Sequence, residues 1–202
     1  MAGMDEVAAL VLAAGLSRRM GQPKMLLPWG SRTVLGQVLY VLEAAGVRQR
    51  WVIGGAAYER IAEIAHQAGA ECLYNAQYAE GEMLLSIQLG LRALEGEPHI
   101  QAALICLGDQ PQIEAQVVRR LLQEWEAQRA PLLVPSYQGR RGHPWLIARP
   151  LWAALLELQP PQTARHFLRA HAAQIQEVAV ETDSILQDID TPQEYERFRP
   201  RE

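Results

Sequence analysis

The sequence predicts an α/β fold: a single-domain, mostly parallel, Rossmann-like sheet flanked by helices, with an antiparallel strand or hairpin near residues 132–148. Three observations predict it. Short apolar runs alternate with longer amphipathic segments across the first two-thirds of the chain, the pattern of right-handed βαβ units. Glycines close several of the amphipathic segments, as expected just past a helix end. The loops rich in Gly and polar residues follow the apolar runs, and in open α/β sheets ligands bind beyond the carboxyl ends of the strands. Those loops are 15–24, 54–57, 75–86, 108–111 and 139–144.

The elements follow in order. Val7–Ala13 reads as a buried strand, and Thr33–Ala45 as a helix closed by Gly46. Arg50–Gly54 is a second strand, and Glu59–Ala68 a second helix ended by Gly69. Glu71–Tyr74 is a short strand, and Ser86–Leu94 a helix stopping before Gly96. Ala102–Leu107 is a buried strand that ends at Gly108-Asp109, and Glu114–Gln128 is a long helix. Leu132–Tyr137 and Trp145–Ala148 are strands flanking the polar loop QGRRGHP; their close spacing predicts the antiparallel departure. Pro150 opens a short helix, Thr163–His171 is helical, and Ile175–Val180 is a late strand. Thr191-Pro192-Gln193-Glu194 is a capping box with Pro at the first helical position. No composition shift or linker divides the 202 residues, so one domain over 1–202 is expected.

Composition narrows the function. Hydrophobic residues make up 49% and charged residues 21%, with a net charge of −4. Such a chain has no general attraction for nucleic acid or an anionic membrane, and neither is expected as a partner. No apolar run approaches the ~18 residues of a membrane span. Asp5 and Glu6 stand where a signal peptide would be basic, and Cys72 and Cys106 lie in apolar runs with no zinc spacing. A cytoplasmic protein with reduced thiols is expected.

A negatively charged substrate would need a local positive pocket, and the first loop supplies one. LVLAAGLSRRMGQPK carries Gly15, Gly21, Arg18, Arg19 and Lys24, the single lysine among 19 basic residues. Gly15 and Gly21 leave backbone N–H groups open, and Arg19 and Lys24 bring charge, as a phosphate requires. The Walker pattern fails, because five residues separate the glycines and Gln-Pro precedes Lys24; the dinucleotide pattern fails because Leu16-Ser17 follow Gly15.

Four further stretches lie in the strand-end loops or the C-terminal region. Gly108-Asp109-Gln110-Pro111 sets a carboxylate at the end of a buried strand; Gly-Asp alone is equally a plain turn. NAQYAEGEMLLSIQLGL, from Asn75, contains Ser86, a candidate helix N-cap. Gly142-His143-Pro144 presents a histidine that would ordinarily be a satisfied loop residue. In Asp188-Ile189-Asp190-Thr191-Pro192 the acids complement a helix start, and strand alternation puts Asp188 and Asp190 on one face.

Together these stretches resemble the MobA-like NTP transferases, which have a glycosyltransferase-A-like nucleotidyltransferase fold. The first loop matches the signature LAAGxSxRMGxxK; Gly-Asp-Gln-Pro, Gly-His-Pro and DIDTP follow in family order, as in the molybdenum cofactor cytidylyltransferase branch. The segment after Asn75 departs twice: Glu82 is inserted between Gly81 and Met83, and Leu85 stands where the first Ser of a pair is expected. The resemblance implies transfer of CMP from CTP to molybdopterin by in-line attack of the acceptor phosphate, with pyrophosphate leaving. It implies that Leu12, Ala13, Ala14 and Gly15, with Ser86 and Gly108, hold the nucleotide, Ala14 favouring cytosine. Arg19 and Lys24 would steady the phosphates. Asp109 would hold Mg²⁺, with Asp190, or its rival Asp188, as second ligand. His143 would line the acceptor side. A molybdoenzyme or its chaperone would receive the product. Two alternatives remain: transfer to a sugar phosphate or polyol phosphate, or a nucleotide-binding accessory role in molybdoenzyme maturation.

Overall fold

The computed structural model describes residues 5–80 and 83–200. Its strands are β1 (Val7–Ala13), β2 (Pro28–Trp29), β3 (Arg32–Thr33), β4 (Gln49–Gly54), β5 (Glu71–Tyr74), β6 (Ala102–Leu107), β7 (Leu132–Tyr137), β8 (Arg140–Arg141), β9 (Trp145–Ala148) and β10 (Ile175–Ala179). Its helices are α1 (Val34–Ala44), α2 (Tyr58–Gln67), α3 (Met83–Glu95), α4 (Ala115–Gln128), α5 (Trp152–Leu156), α6 (Ala164–Ala170) and α7 (Pro192–Phe198).

The main sheet runs β10-β7-β9-β6-β1-β4-β5, with β8 paired to β7. β1 lies parallel between β4 and β6, and β7 lies parallel to β10. β9 is antiparallel to both β6 and β7, and β7–β8 is a hairpin. The predicted departure near 132–148 is therefore both a hairpin and an inserted antiparallel strand. The small β2–β3 ribbon was not legible, because two-residue strands carry no periodicity.

β1 explains the layering. Its residues are buried throughout, so alternate side chains enter two different cores. Val7, Ala9 and Val11 join Leu35, Leu39, Val118 and Leu121 from α1 and α4. Ala8, Leu10 and Leu12 join Ile87, Leu91 and Phe167 from α3 and α6. Each fully buried Leu or Phe of these layers is worth roughly 1.5–3 kcal/mol of burial free energy.

A third apolar cluster matters more for function. Met20, Leu27, Trp29, Val34, Ile189 and Tyr195 pack together, and the Tyr195 hydroxyl donates to the Pro28 carbonyl at 2.6 Å. This cluster staples the C-terminal segment onto the first loop. Thr191 and Glu194 form the predicted capping box at the start of α7, and Glu194 also accepts from the Asp190 backbone N–H at 3.0 Å.

The hairpin loop is fixed by a close backbone approach. Gly142 donates to Pro135 O at 3.0 Å, and a Cβ added there would lie 2.2 Å from Ile185 O. Backbone cannot yield as a flexible side chain does. Gly142→Ala is therefore expected to lower unfolding stability by about 2 kcal/mol or more, read from the urea midpoint at unchanged m-value.

Candidate active site

The carboxyl ends of β1, β4, β5 and β6 open on one side of the sheet, and the loops that follow them meet there. The first loop is shaped by Ser17, whose positive φ of 49° turns the chain. Its carbonyl accepts from the Met20 and Gly21 N–H groups, and its hydroxyl accepts from the Lys24 N–H at 3.2 Å. Lys24 then enters a 3₁₀ turn and points inward, 8% exposed.

The Lys24 ammonium lies between two carboxylates. Its Nζ donates to Asp109 Oδ2 in a very short contact and to Asp190 Oδ1 at 2.8 Å. Arg19 donates to the other Asp190 oxygen at 2.5 Å. Asp109 stands just past β6, where the Gly108 N–H bonds to Leu12 O at 3.0 Å. Asp190 is carried to it by the neighbouring Ile189, which is fully buried and donates its N–H to Asp109 O at 3.0 Å. Ile189 turns into the core, and Asp188, outside any strand, is exposed.

The charges decide the protonation states. Burial works against the Lys24 ammonium, but Asp109, and then Asp190, raise it above the ordinary lysine range. Burial likewise opposes charge on Asp190, and Lys24 and Arg19 override it, holding the carboxyl below its usual range. Asp188 moves the other way, pushed up by burial and then by the charges of Asp190 and Asp109. An excess of carboxylate oxygen thus surrounds one ammonium. Hard oxygen donors converging on a buried cation suit a divalent ion that takes one or two carboxylates and completes its shell with water and phosphate. Asp109 and Asp190 fit that donor set; no group of three or more metal-ligating side chains occurs among the described residues.

Two clefts meet at Gly15 and Lys24. One, of about 170 Å³, is lined by Leu12, Ala14 and Gly15 on one side and Asn75, Tyr78 and Ser86 on another, with Asp109 at its edge. The other, of about 340 Å³, runs over Ser17, Arg18 and Arg19 to Asp190. The predicted residues Leu12, Ala14, Gly15, Arg19, Lys24, Ser86, Asp109 and Asp190 therefore share one continuous site; Gly108 lines neither cleft and packs against Leu12 O and Met25 beside it. Ala13 instead turns into the core beneath it. Ser86 is no N-cap: α3 begins at Met83, placing Ser86 inside the helix, where its hydroxyl accepts from Asn75. Glu82 lies outside the described residues. Ser17 and Asn75 fall within the family-like stretches of the sequence but carry no predicted role there, and Tyr78 was not singled out. For Asn75 the available signals were its position directly after a strand and its place at the head of the family-like segment that includes Ser86.

His143 stands apart from the two clefts, at the amino end of β9. The β6–β9 register, Ile105 opposite Trp145, sets it beside the last residues of β6. Its ring stacks on Trp145 at 4.3 Å, and its Nδ1 is buried without a partner. Burial pushes its pKa down to about 4, so it is neutral and a weak base near pH 7. The depressed value makes a pH prediction. An unfolded histidine takes a proton near pH 6.5, whereas the folded one resists until about 4. Stability from this group is complete above pH 6.5, falls as pH drops to 4, and is then lost, by about 3 kcal/mol in all. His143→Gln should remove this acid limb from a stability–pH profile.

The chain is similar over most of its length to known proteins. The chain is 28% identical over 192 residues to molybdenum cofactor cytidylyltransferase of Escherichia coli, covering 95% of each. It is 28% identical over 143 residues to a probable molybdenum cofactor guanylyltransferase of Bacillus cytotoxicus, covering 68% of this chain and 66% of that one. Rv0371c of Mycobacterium tuberculosis superposes with a TM-score of 0.83 at 28% identity, over 96% of this chain and 97% of that one. A manganese complex of the same protein superposes at 0.79 with 27% identity, over 96% and 98%. The profile of the MobA-like NTP transferase domain matches residues 9–175, which hold the basic loop, Asp109 and His143. A strand-end cleft with a lysine shared by two carboxylates is thus set in a chain of matching sequence: this protein is a nucleotidyltransferase and belongs to the MobA-like NTP transferase family.

Proposed function

We propose that this protein transfers CMP from CTP to molybdopterin in the cytoplasm, with Mg²⁺, as one nucleotidyltransferase domain over 1–202. The observation that carries the reading is the Lys24 ammonium between Asp109 and Asp190, where the cleft lined by Leu12, Ala14 and Gly15 meets a basic one. The backbone of Leu12, Ala13, Ala14 and Gly15, with Ser86 and Gly108, would hold base and ribose. Arg19 and Lys24 would take the triphosphate oxygens. Asp109 and Asp190 would hold the divalent ion, which when bound neutralises charge on the phosphates. His143 would shape the acceptor side.

The reaction needs no covalent enzyme intermediate. An acceptor phosphate oxygen forms a bond to the α-phosphorus, the bond to the bridging oxygen breaks, and pyrophosphate carries away that electron pair. The chain contributes alignment and charge placed in advance. The acceptor phosphate is already ionised near neutral pH, so a neutral His143 is no obstacle.

The test is pyrophosphate release with each NTP, Mg²⁺, and molybdopterin, a sugar phosphate or a polyol phosphate. Release with CTP and molybdopterin is expected. Release with the other acceptors alone would move the substrate assignment, and CTP binding without release would leave an accessory role in delivering cofactor to a molybdoenzyme or its chaperone.

A further inference from the structure

Ser86 and Asn75 form a buried polar pair in the wall of the nucleoside cleft, 5% and 4% exposed. Each bond in the pair has a defined direction. Asn75 closes β5: its N–H donates to Gly54 O at 2.8 Å, and its carbonyl accepts from the Tyr78 N–H at 3.2 Å. Its side-chain oxygen accepts from the Gln77 N–H at 2.9 Å. A backbone N–H can only donate, so the atom facing it is the oxygen and the amide cannot be flipped. The NH₂ end is therefore the one that meets Ser86, donating to its Oγ at 3.0 Å.

A hydroxyl has one hydrogen to give and two lone pairs to receive. With Asn75 donating into one lone pair, the Ser86 hydrogen cannot point at Asn75 and is left for an acceptor in the cleft, in competition with the carbonyls of the preceding turn of α3. Ser86 shares its cleft with Leu12, Ala14 and Gly15. The pyrimidine edge of cytosine offers two acceptors there, O2 and N3. At the positions of cytosine O2 and N3, guanine presents N2–H and N1–H donors, and its one acceptor on that edge, O6, lies where cytosine carries its amino group, so a hydroxyl placed for O2 or N3 meets a donor in guanine.

We propose that Asn75 is a positioning residue for base selection: its amide fixes the Ser86 hydroxyl as a donor and so tunes the cleft toward a pyrimidine with acceptors at O2 and N3. This inference rests on the CTP reading above. Asn75 itself touches no reacting atom. The departure at Leu85 is consistent with it, since the single hydroxyl of the Leu85-Ser86 pair is the one Asn75 holds.

The experiment is a double-mutant cycle on nucleotide binding, read by calorimetry with Mg²⁺ and no acceptor. Wild type is measured first with CTP and GTP. Tighter binding of GTP would overturn the CTP reading itself, whatever the variants do. With CTP preferred, Asn75→Asp replaces the donor with an acceptor of the same shape and draws the Ser86 hydrogen away from the base. CTP binding should weaken about tenfold and the CTP-over-GTP preference should shrink, while kcat at saturating CTP stays within about threefold. Ser86→Ala should also weaken CTP binding, and in that background Asn75→Asp should add less than about twofold. Equal losses for CTP and GTP, or full additivity with Ser86→Ala, would overturn the proposal. If Asn75→Asp does not fold, Asn75→Ala serves in the same cycle. The freed hydroxyl can then rotate, so a weakening of about threefold is expected, and it too should vanish in the Ser86→Ala background.

Discussion

Lys24→Ala is expected to lower nucleotidyl transfer by about two powers of ten or more, while Mg²⁺ alone binds more tightly than to wild type. The two effects have one cause. Lys24 donates to both Asp109 and Asp190, occupying carboxylate oxygens that a divalent ion would use. Removing it frees those oxygens and also removes the cation meant for the phosphates. Stability should fall as well, because two carboxylates are left facing each other. Losing one member of a fully buried pair costs about 3–5 kcal/mol. Here the carboxylate side chains keep 17% and 24% exposure, and Arg19 still holds Asp190, so about 1–2 kcal/mol is expected. Added Mg²⁺ should restore much of the thermal midpoint. Lys24→Arg should also be impaired, since a planar fork cannot take the place of a compact ammonium between two carboxylates. Single-turnover rates, Mg²⁺ calorimetry and melting with and without Mg²⁺ check each part. Near-normal turnover of Lys24→Ala would remove Lys24 from the mechanism.

Much of this site was legible in the sequence, for reasons that also show where legibility stops. β1 and β6 are apolar on both faces because the sheet is covered on both sides, so their ends, and hence the places of Gly15 and Asp109, could be read from hydrophobicity alone. The capping box fixed the start of α7, and with it the place of Asp190. That Asp190 meets Lys24 across 166 residues was not readable from pattern, because tertiary packing decides it: Ile189 under Tyr195 and Trp29, and the Ile189 N–H on Asp109. Only the family signature implied that the two acids share a ligand. The sequence places the start of α3 at Ser86, three residues late, because Met83-Leu84-Leu85 carry no capping residue and Ser86 is the first residue in the run that resembles one. The pairing of Asn75 with Ser86 was hidden for the same reason. A serine inside a helix is chemically ordinary until the loop before that helix brings an amide to it.

The three acids should separate under isosteric substitution. Asp109→Asn is expected to cost about two powers of ten or more in rate and to weaken Mg²⁺ binding, because a neutral amide oxygen replaces a carboxylate on the rigid end of β6. Asp190→Asn should cost less, about tenfold, since its oxygens divide between Lys24 and Arg19 and its loss releases both cations toward the phosphates. Asp188→Asn should stay within about threefold, because Asp188 is exposed and already pushed toward its neutral form by Asp190 and Asp109. Folding should survive in all three, as each side chain sits in a loop and keeps its shape. Rates at saturating CTP and Mg²⁺ affinities measured on the same preparations decide the order. If Asp188→Asn fell as far as Asp109→Asn, Asp188 would be the second metal ligand, and Asp190 would serve chiefly to hold Lys24 and Arg19. The present geometry argues for the opposite order: Asp190 is the carboxylate that packing has brought to the ammonium, and Asp188 is the one left outside that contact.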